Sequence, residues 1–187
     1  MAPFPNLPSP PGRVLLRALT DADADDLLSI FGDPEVVRYW SGAPWTDVEE
    51  ARRMLAADRS AFEAGSAIRV GLTLRDEGRV IGTVSLFNRS ESNRRAEIGY
   101  ALARSAWGRG LMHEALVQWL DWAFGPLALH RLEADVDPAN AASRRSLERL
   151  GFQHEGLLRE RWIVDGQVAD TAFYGLLARD WQARARR

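Results

Sequence analysis

Residues Ala96–Ala115, AEIGYALARSAWGRGLMHEA, decide how this chain is read. Within Ala96–Ala103, alternation places Ile98, Tyr100 and Leu102 on one face of a strand, with Glu97, Gly99, Ala101 and Ala103 on the other. The run Trp107-Gly108-Arg109-Gly110 then forces a tight turn, and a helical pattern starts at once. Glycine lets the backbone bend and approach a ligand closely. The unpaired N–H groups of a helix start carry about half a positive charge, so strand, glycine turn and helix make a seat for a phosphate. Glu97 is a single carboxylate upstream, on a face otherwise lined by Gly and Ala. A phosphate-bearing cofactor beside a lone acid is the outline of an enzyme.

Composition sets the bounds. At 187 residues, one domain with a substantial core is expected. Hydrophobic content of 46% and charged content of 27% are those of a soluble globular chain. A net charge of −2 gives no bulk attraction to nucleic acid or anionic membrane, and no direct nucleic-acid binding is expected. No apolar run approaches the roughly 18 residues of a membrane span. The chain has no cysteine, and His113, His130 and His154 lack metal-ligand spacing, so no metal is expected. The opening MAPFPNLPSPPG has five prolines and no basic segment, which does not fit a secretory signal. Residues 1–12 are therefore expected as a mobile, extended leader, 13–182 as a single domain and 183–187 as a basic tail. The cytoplasm is the expected compartment. Monomer and homodimer both fit.

Working outward, the remaining elements alternate in a mixed α/β order. Arg13–Leu19 reads as a strand, and Thr20 as the cap of a helix with an acidic first turn that runs to Phe31. Asp33-Pro34-Glu35 opens a short helical turn, which Ser41-Gly42-Ala43-Pro44 breaks. Thr46 with Glu49 predicts a capping box and a long helix to Ala64. Ile68–Leu74 and Val80–Leu86 form a hairpin, followed by a polar loop at Asn88–Asn93. The helix after Gly110 carries one polar stripe, Glu114, Gln118 and Asp121, and is otherwise apolar. Leu132–Val136 is a strand, Pro138 starts a helix to Leu150, and Phe152–Val164 with Val168–Leu177 form a long hairpin turning at Asp165-Gly166. The expected total is about seven strands and four main helices.

The second informative block is His130–Gly156, HRLEADVDPANAASRRSLERLGFQHEG. AEIGYAL, WGRGL at a helix start, HRLEA, N-x-x-S and LGF-x-x-EG follow one another with the spacing of the GNAT superfamily of N-acetyltransferases. Within it the chain most resembles the ribosomal-protein N-terminal acetyltransferases. LLRALTDADADDLL and DPEVVRYW resemble that subgroup's opening, so the likeness spans about residues 13–182.

The resemblance implies a mixed central sheet in which two parallel strands, here Ala96–Ala103 and Leu132–Val136, splay apart to bind acetyl-CoA. It implies a pantetheine arm along Leu102, Ala103 and Arg104, and a pyrophosphate on the turn of Trp107, Gly108, Arg109, Gly110, Leu111 and Met112. The family's loop opens on Gln or Arg where this chain has Ser105. Backbone N–H groups supply most of such a contact, so the departure is minor. Arg104 and Arg109 could add charge. Asn140 matches a residue that bonds the cofactor or orients the transfer site, although helix capping explains an Asn there as well. Ser143 matches a serine near the cofactor sulfur that returns a proton to the leaving thiolate. Many family members place a tyrosine four residues further on, where this chain has Leu147. Glu97 matches the strand glutamate that works as a base through water, its competing role being an ion pair with Arg94 or Arg95. The subgroup's alternative base position holds Trp162, with Glu160 near in sequence.

A thioester is already reactive, so such a site must position an amine, remove its proton and stabilise an oxyanion. Holding an α-amine neutral at pH 7 costs roughly 1 kcal/mol, against about 4.6 kcal/mol for a lysine. One water-relayed carboxylate therefore suits a protein N-terminal α-amine, with a small-molecule amine as the alternative acceptor. Tyr39, Trp40, Trp45, Phe87 and Trp162 are the candidate acceptor wall. Two other classes compete. A nucleotide-binding enzyme is disfavoured because no Gly-Lys-Ser/Thr follows the turn and a third fingerprint glycine is missing. A silent acetyl-CoA-binding module would keep the loop and lose the acid and base.

Overall fold

The computed structural model describes residues 4–7, 10–164 and 166–184. Seven strands form one mixed sheet in the order β1-β2-β3-β4-β5-β7-β6. They are β1 Val14–Ala18, β2 Ile68–Leu74, β3 Val80–Ser90, β4 Arg95–Leu102, β5 Arg131–Val136, β6 Gln153–Val164 and β7 Gln167–Leu177. The α-helices are α1 Ala24–Phe31, α2 Pro34–Val37, α3 Val48–Glu63, α4 Leu111–Phe124, α5 Ala141–Leu150 and α6 Ala178–Arg184. Every neighbouring pair is antiparallel except β4 with β5.

Strand parity divides the molecule into two layers. Ala96 and Ile98 of β4, Val84 and Leu86 of β3 and Leu132, Ala134 and Val136 of β5 face a core with Leu111, Leu116 and Trp119 of α4 and Leu147 of α5. The opposite parity carries Ala101, which with Val80 meets Leu27, Ile30 and Phe31 of α1 and Leu55 of α3 in a second, smaller core. The polar stripe of α4 is spent on neighbours. Glu114 accepts from the backbone N–H groups of Arg13 and Val14, Gln118 donates to Val14 O, and Asp121 accepts from Trp181 Nε1.

Several local expectations shift. The long helix is capped by Asp47, whose Oδ1 accepts from Glu49 N at 2.9 Å, and not by Thr46. Thr46 offers its N–H to Glu50 Oε1 instead, so the box closes one residue later than the pattern suggests. The polar loop after β3 is shorter, because the strand continues to Ser90. In the leader, Phe4 is 3% exposed and stacks on Phe62 and Trp122, whose Nε1 donates to Asn6 O. Those leader residues pack on the domain. Residues 1–3, 8–9 and the tail at 185–187 lie outside the described residues, as does Asp165 of the expected hairpin turn. Arg184 of the expected tail belongs to α6 and donates to Arg149 O.

Candidate active site

β4 and β5 pair over three positions only, Arg95↔Arg131, Ala96↔Leu132 and Glu97↔Glu133. Beyond them β4 stays paired with β3 to Leu102 and β5 stays paired with β7 to Val136. Their facing edges, Ile98 onward and Ala134 onward, have no strand partner. The sheet is split, and a split sheet offers unpaired backbone groups to an extended ligand.

The glycine turn follows the end of β4, and none of residues 102–112 lines the cleft described below. Gly108 and Gly110 have φ of +72° and +75°, a left-handed region that only glycine enters cheaply. Gly110 is the N-cap of α4 and has no side chain to close it. Among the described residues, the N–H groups of Leu111, Met112 and His113 meet no acceptor, and the first helical bond runs from Glu114 N to Gly110 O at 3.1 Å. A Cβ built on Gly108 would meet nothing within 4 Å. Free donors at a helix start with open space before them fit a pyrophosphate. Glu114, an acid in this first turn, does not oppose an anion. Burial resists its ionisation, but hydrogen bonds from Val14 and Arg13 outweigh that and turn the carboxylate toward β1.

The basic residues of the turn differ in what they offer. Arg109 accepts from Arg13 Nη1 through its carbonyl, and its guanidinium has no partner among the described residues. Arg104 lies 3.1 Å from Asp33, so its charge is already spent. Trp107 Nε1 donates to Leu102 O at 2.7 Å, pinning the turn to the end of β4. Ala103 N–H donates to Ile81 O, which leaves the open edge of β4 upstream as the freer backbone for a pantetheine arm.

A cleft of about 710 Å³ runs through the split and out over the Glu97 side of the sheet. Tyr39, Trp40, Phe87, Glu97, Asn140, Ser143 and Trp162 all line it. Trp45 does not: it packs on Phe31 at 4.7 Å in the smaller core. Glu97 is 8% exposed, and its side chain makes no hydrogen bond or ion pair among the described residues. Its expected competitor Arg95 bonds Glu133 at 2.7 Å, and Arg94 makes no ion pair with Glu97. Gly99, next on that face, leaves room for its neighbours, since a Cβ there would lie 3.2 Å from Phe87 and 3.1 Å from Ser85 Oγ.

Ser143 sits in the first turn of α5, capped by Asn140 Oδ1 at 3.1 Å from Ser143 N. Asn140 therefore performs the capping role, with its amide nitrogen unpaired among the described residues. Ser143 Oγ lies 2.8 Å from the Tyr100 hydroxyl, while Leu147 is fully buried. Glu160 is exposed, with its N–H held by Asp170 Oδ1. Sequence reasoning passed over Tyr100 as a mere strand face and Asp135 altogether. Asp135 lines the cleft and accepts from Trp162 Nε1 at 3.2 Å and from Thr171 Oγ1. The alternation Glu133, Asp135, Asp137 carried a signal for it. Tyr100 had none, its partner being 43 residues away.

Comparison with known proteins agrees with this architecture. Residues 13–153 match the family model described as acetyltransferase (GNAT) domain. The uncharacterised N-acetyltransferase p20 of Bacillus licheniformis is 38% identical, over 90% of this chain and 95% of its own. The [ribosomal protein uS5]-alanine N-acetyltransferase of Escherichia coli is 29% identical, over 90% of each. The structure of Mycobacterium smegmatis RimJ in complex with CoA-disulfide superposes with a TM-score of 0.79 at 28% identity, covering 92% of this chain and 90% of that one. The chain belongs to the GNAT acetyltransferase family. It is an acyltransferase.

Proposed function

We propose that the protein moves the acetyl group of acetyl-CoA directly to a primary amine, first of all a protein N-terminal α-amine. The observation that carries this is the unpaired, nearly buried carboxylate of Glu97 facing the split between β4 and β5. A buried charge without a partner is costly, and sites that do chemistry are where such groups persist.

In this reading the free N–H groups of Leu111, Met112 and His113 hold the pyrophosphate, with Arg109 beside them. The pantetheine arm lies along the unpaired edge of β4. Bound acetyl-CoA supplies a thioester carbonyl already activated toward amines. Glu97 draws the proton from the acceptor amine through water, and Tyr39, Trp40, Phe87 and Trp162 wall the acceptor in. Ser143 donates to the departing sulfur. Glu97 and Ser143 act from opposite sides, because Glu97 and Tyr100, the partner of Ser143, have opposite parity on β4. The named acceptor of the Escherichia coli relative, ribosomal protein uS5, supports a protein N-terminus and a cytoplasmic setting.

A small polyamine is the second reading, favoured by Asp135, Asp137 and Asp170 around the cleft. Thermal shift with acetyl-CoA, ATP and NAD tests the cofactor, and acetyl-CoA alone should raise the melting temperature. CoA release is then measured with peptides bearing a free N-terminus, with N-blocked lysine peptides and with spermidine. Release by free-N-terminus peptides, with the acetyl group mapped to the α-amine, is expected. Release by spermidine alone overturns the first acceptor, and no stabilisation by acetyl-CoA overturns the reading.

A further inference from the structure

Ser143 Oγ has one protein partner among the described residues, the Tyr100 hydroxyl at 2.8 Å. A serine hydroxyl owns one proton and two lone pairs, and so does a phenol for its single proton. One of the two must donate to the other. Serine in a helix commonly returns its proton to the carbonyl four residues back. Among the described residues Ser143 Oγ makes no such bond to Ala139 O. Tyr100 also reaches Ser143 O, at 3.4 Å a poorer target than Oγ, and the Ser146 side chain. Both residues line the cleft where the sheet splits.

We infer that Tyr100 is a positioning residue for Ser143: its phenol donates to Ser143 Oγ and leaves the serine proton aimed into the cleft at the departing sulfur. This rests on the reading of Ser143 as the group that meets that sulfur. Burial pushes the Tyr100 phenol up, with its hydrogen bonds to Ser143 and Ser146 opposing, so the phenol keeps its proton and stays a donor. As the C–N bond forms and the C–S bond breaks, the bonding pair leaves on sulfur and takes the Ser143 proton. Solvent restores that proton to Ser143, and the phenol proton stays on Tyr100 throughout. A donated hydrogen bond makes an acceptor's own O–H the stronger donor, so the pair acts as a short polarised chain. The tyrosine that other family members carry on the helix is a core leucine here, Leu147, and a phenol reaches the same serine from β4 instead.

Tyr100→Phe removes one oxygen and keeps the ring. With acetyl-CoA and the best acceptor peptide, kcat should fall about tenfold while KM and the acetyl-CoA Kd stay within twofold. In a Ser143→Ala background, Tyr100→Phe should cost nothing further. 3-Fluorotyrosine at position 100 keeps shape and donor, and should hold kcat within about twofold of the parent. Full turnover in Tyr100→Phe beside a deficit in Ser143→Ala overturns the role of Tyr100 and leaves that of Ser143 standing. Full turnover in both overturns both. Two independent losses that add in the double variant overturn the coupling, and a loss with fluorotyrosine as deep as with Phe shows packing in place of donation.

Discussion

The two strands of the β4–β5 seam put carboxylates of one register in opposite surroundings. On β5, Glu133 is 8% exposed and clamped by Arg95 Nη1 at 2.7 Å and Arg131 Nε at 2.8 Å. Arg131 also holds Glu155, whose carboxyl lies below its ordinary range because of that hydrogen bond. Glu97, paired in register with Glu133 and equally buried, has no cation among the described residues. Where the arginines stand, the strands are stitched by backbone and charge. At Glu97, the last paired position before the strands part, the carboxylate has no such clamp among the described residues. Burial alone does not distinguish these two acids; their partners do.

Four substitutions break or sharpen that contrast. The largest effect is expected for Glu97→Gln, which keeps shape and removes basicity. Turnover should fall on the order of a hundredfold near neutral pH. The deficit should shrink as pH rises through the acceptor's own value, about 8 for an α-amine, when solvent removes the proton unaided. Full activity at pH 7 in a stable protein would remove Glu97 from the mechanism. Ser143→Ala comes next, with kcat down by several tens-fold and acetyl-CoA affinity unchanged, water replacing part of the lost hydroxyl. Gly110→Val should weaken acetyl-CoA more than tenfold by calorimetry, since Val resists a φ of +75° at the anion seat. Unchanged affinity would put the cofactor elsewhere. The smallest effect on catalysis belongs to Glu133→Gln. It should cost about 1–2 kcal/mol of stability by leaving partly exposed arginine donors underpaired, a fall in melting temperature of roughly 2–8 °C, while kcat stays near the parent's. An activity loss as deep as that of Glu97→Gln would erase the contrast.

What the chain discloses on its own is what local chemistry dictates. Alternation in Ala96–Ala103 and glycines at 108 and 110 produce the strand and the left-handed turn within a few residues. Asp47 and Thr46 show the limit of such signals. Both can cap a helix, and which one does so depends on whether Glu49 or Glu50 reaches back. Long-range pairings leave no local trace. Arg95 with Glu133, 38 residues apart, decides that Glu97 stays bare. Phe4 sits in a proline-rich stretch whose composition says leader, and contacts with Trp122 on α4, Phe62 on α3 and Arg89 on β3 make it part of the core. Trp40 and Trp45 look alike in sequence, yet one lines the cleft and the other fills the space beside Phe31.

The split in the sheet has a thermodynamic consequence. Two inner strand edges carry backbone groups that a continuous sheet would satisfy, so the protein folds with part of its hydrogen bonding deferred to its ligand. A molecule that completes the ladder acts as a missing strand, and its binding free energy adds to the free energy of folding. At a concentration a hundred times its Kd, such a ligand adds about 2.7 kcal/mol. If acetyl-CoA is that ligand, as proposed above, resistance to heat and to proteolysis rises with its concentration.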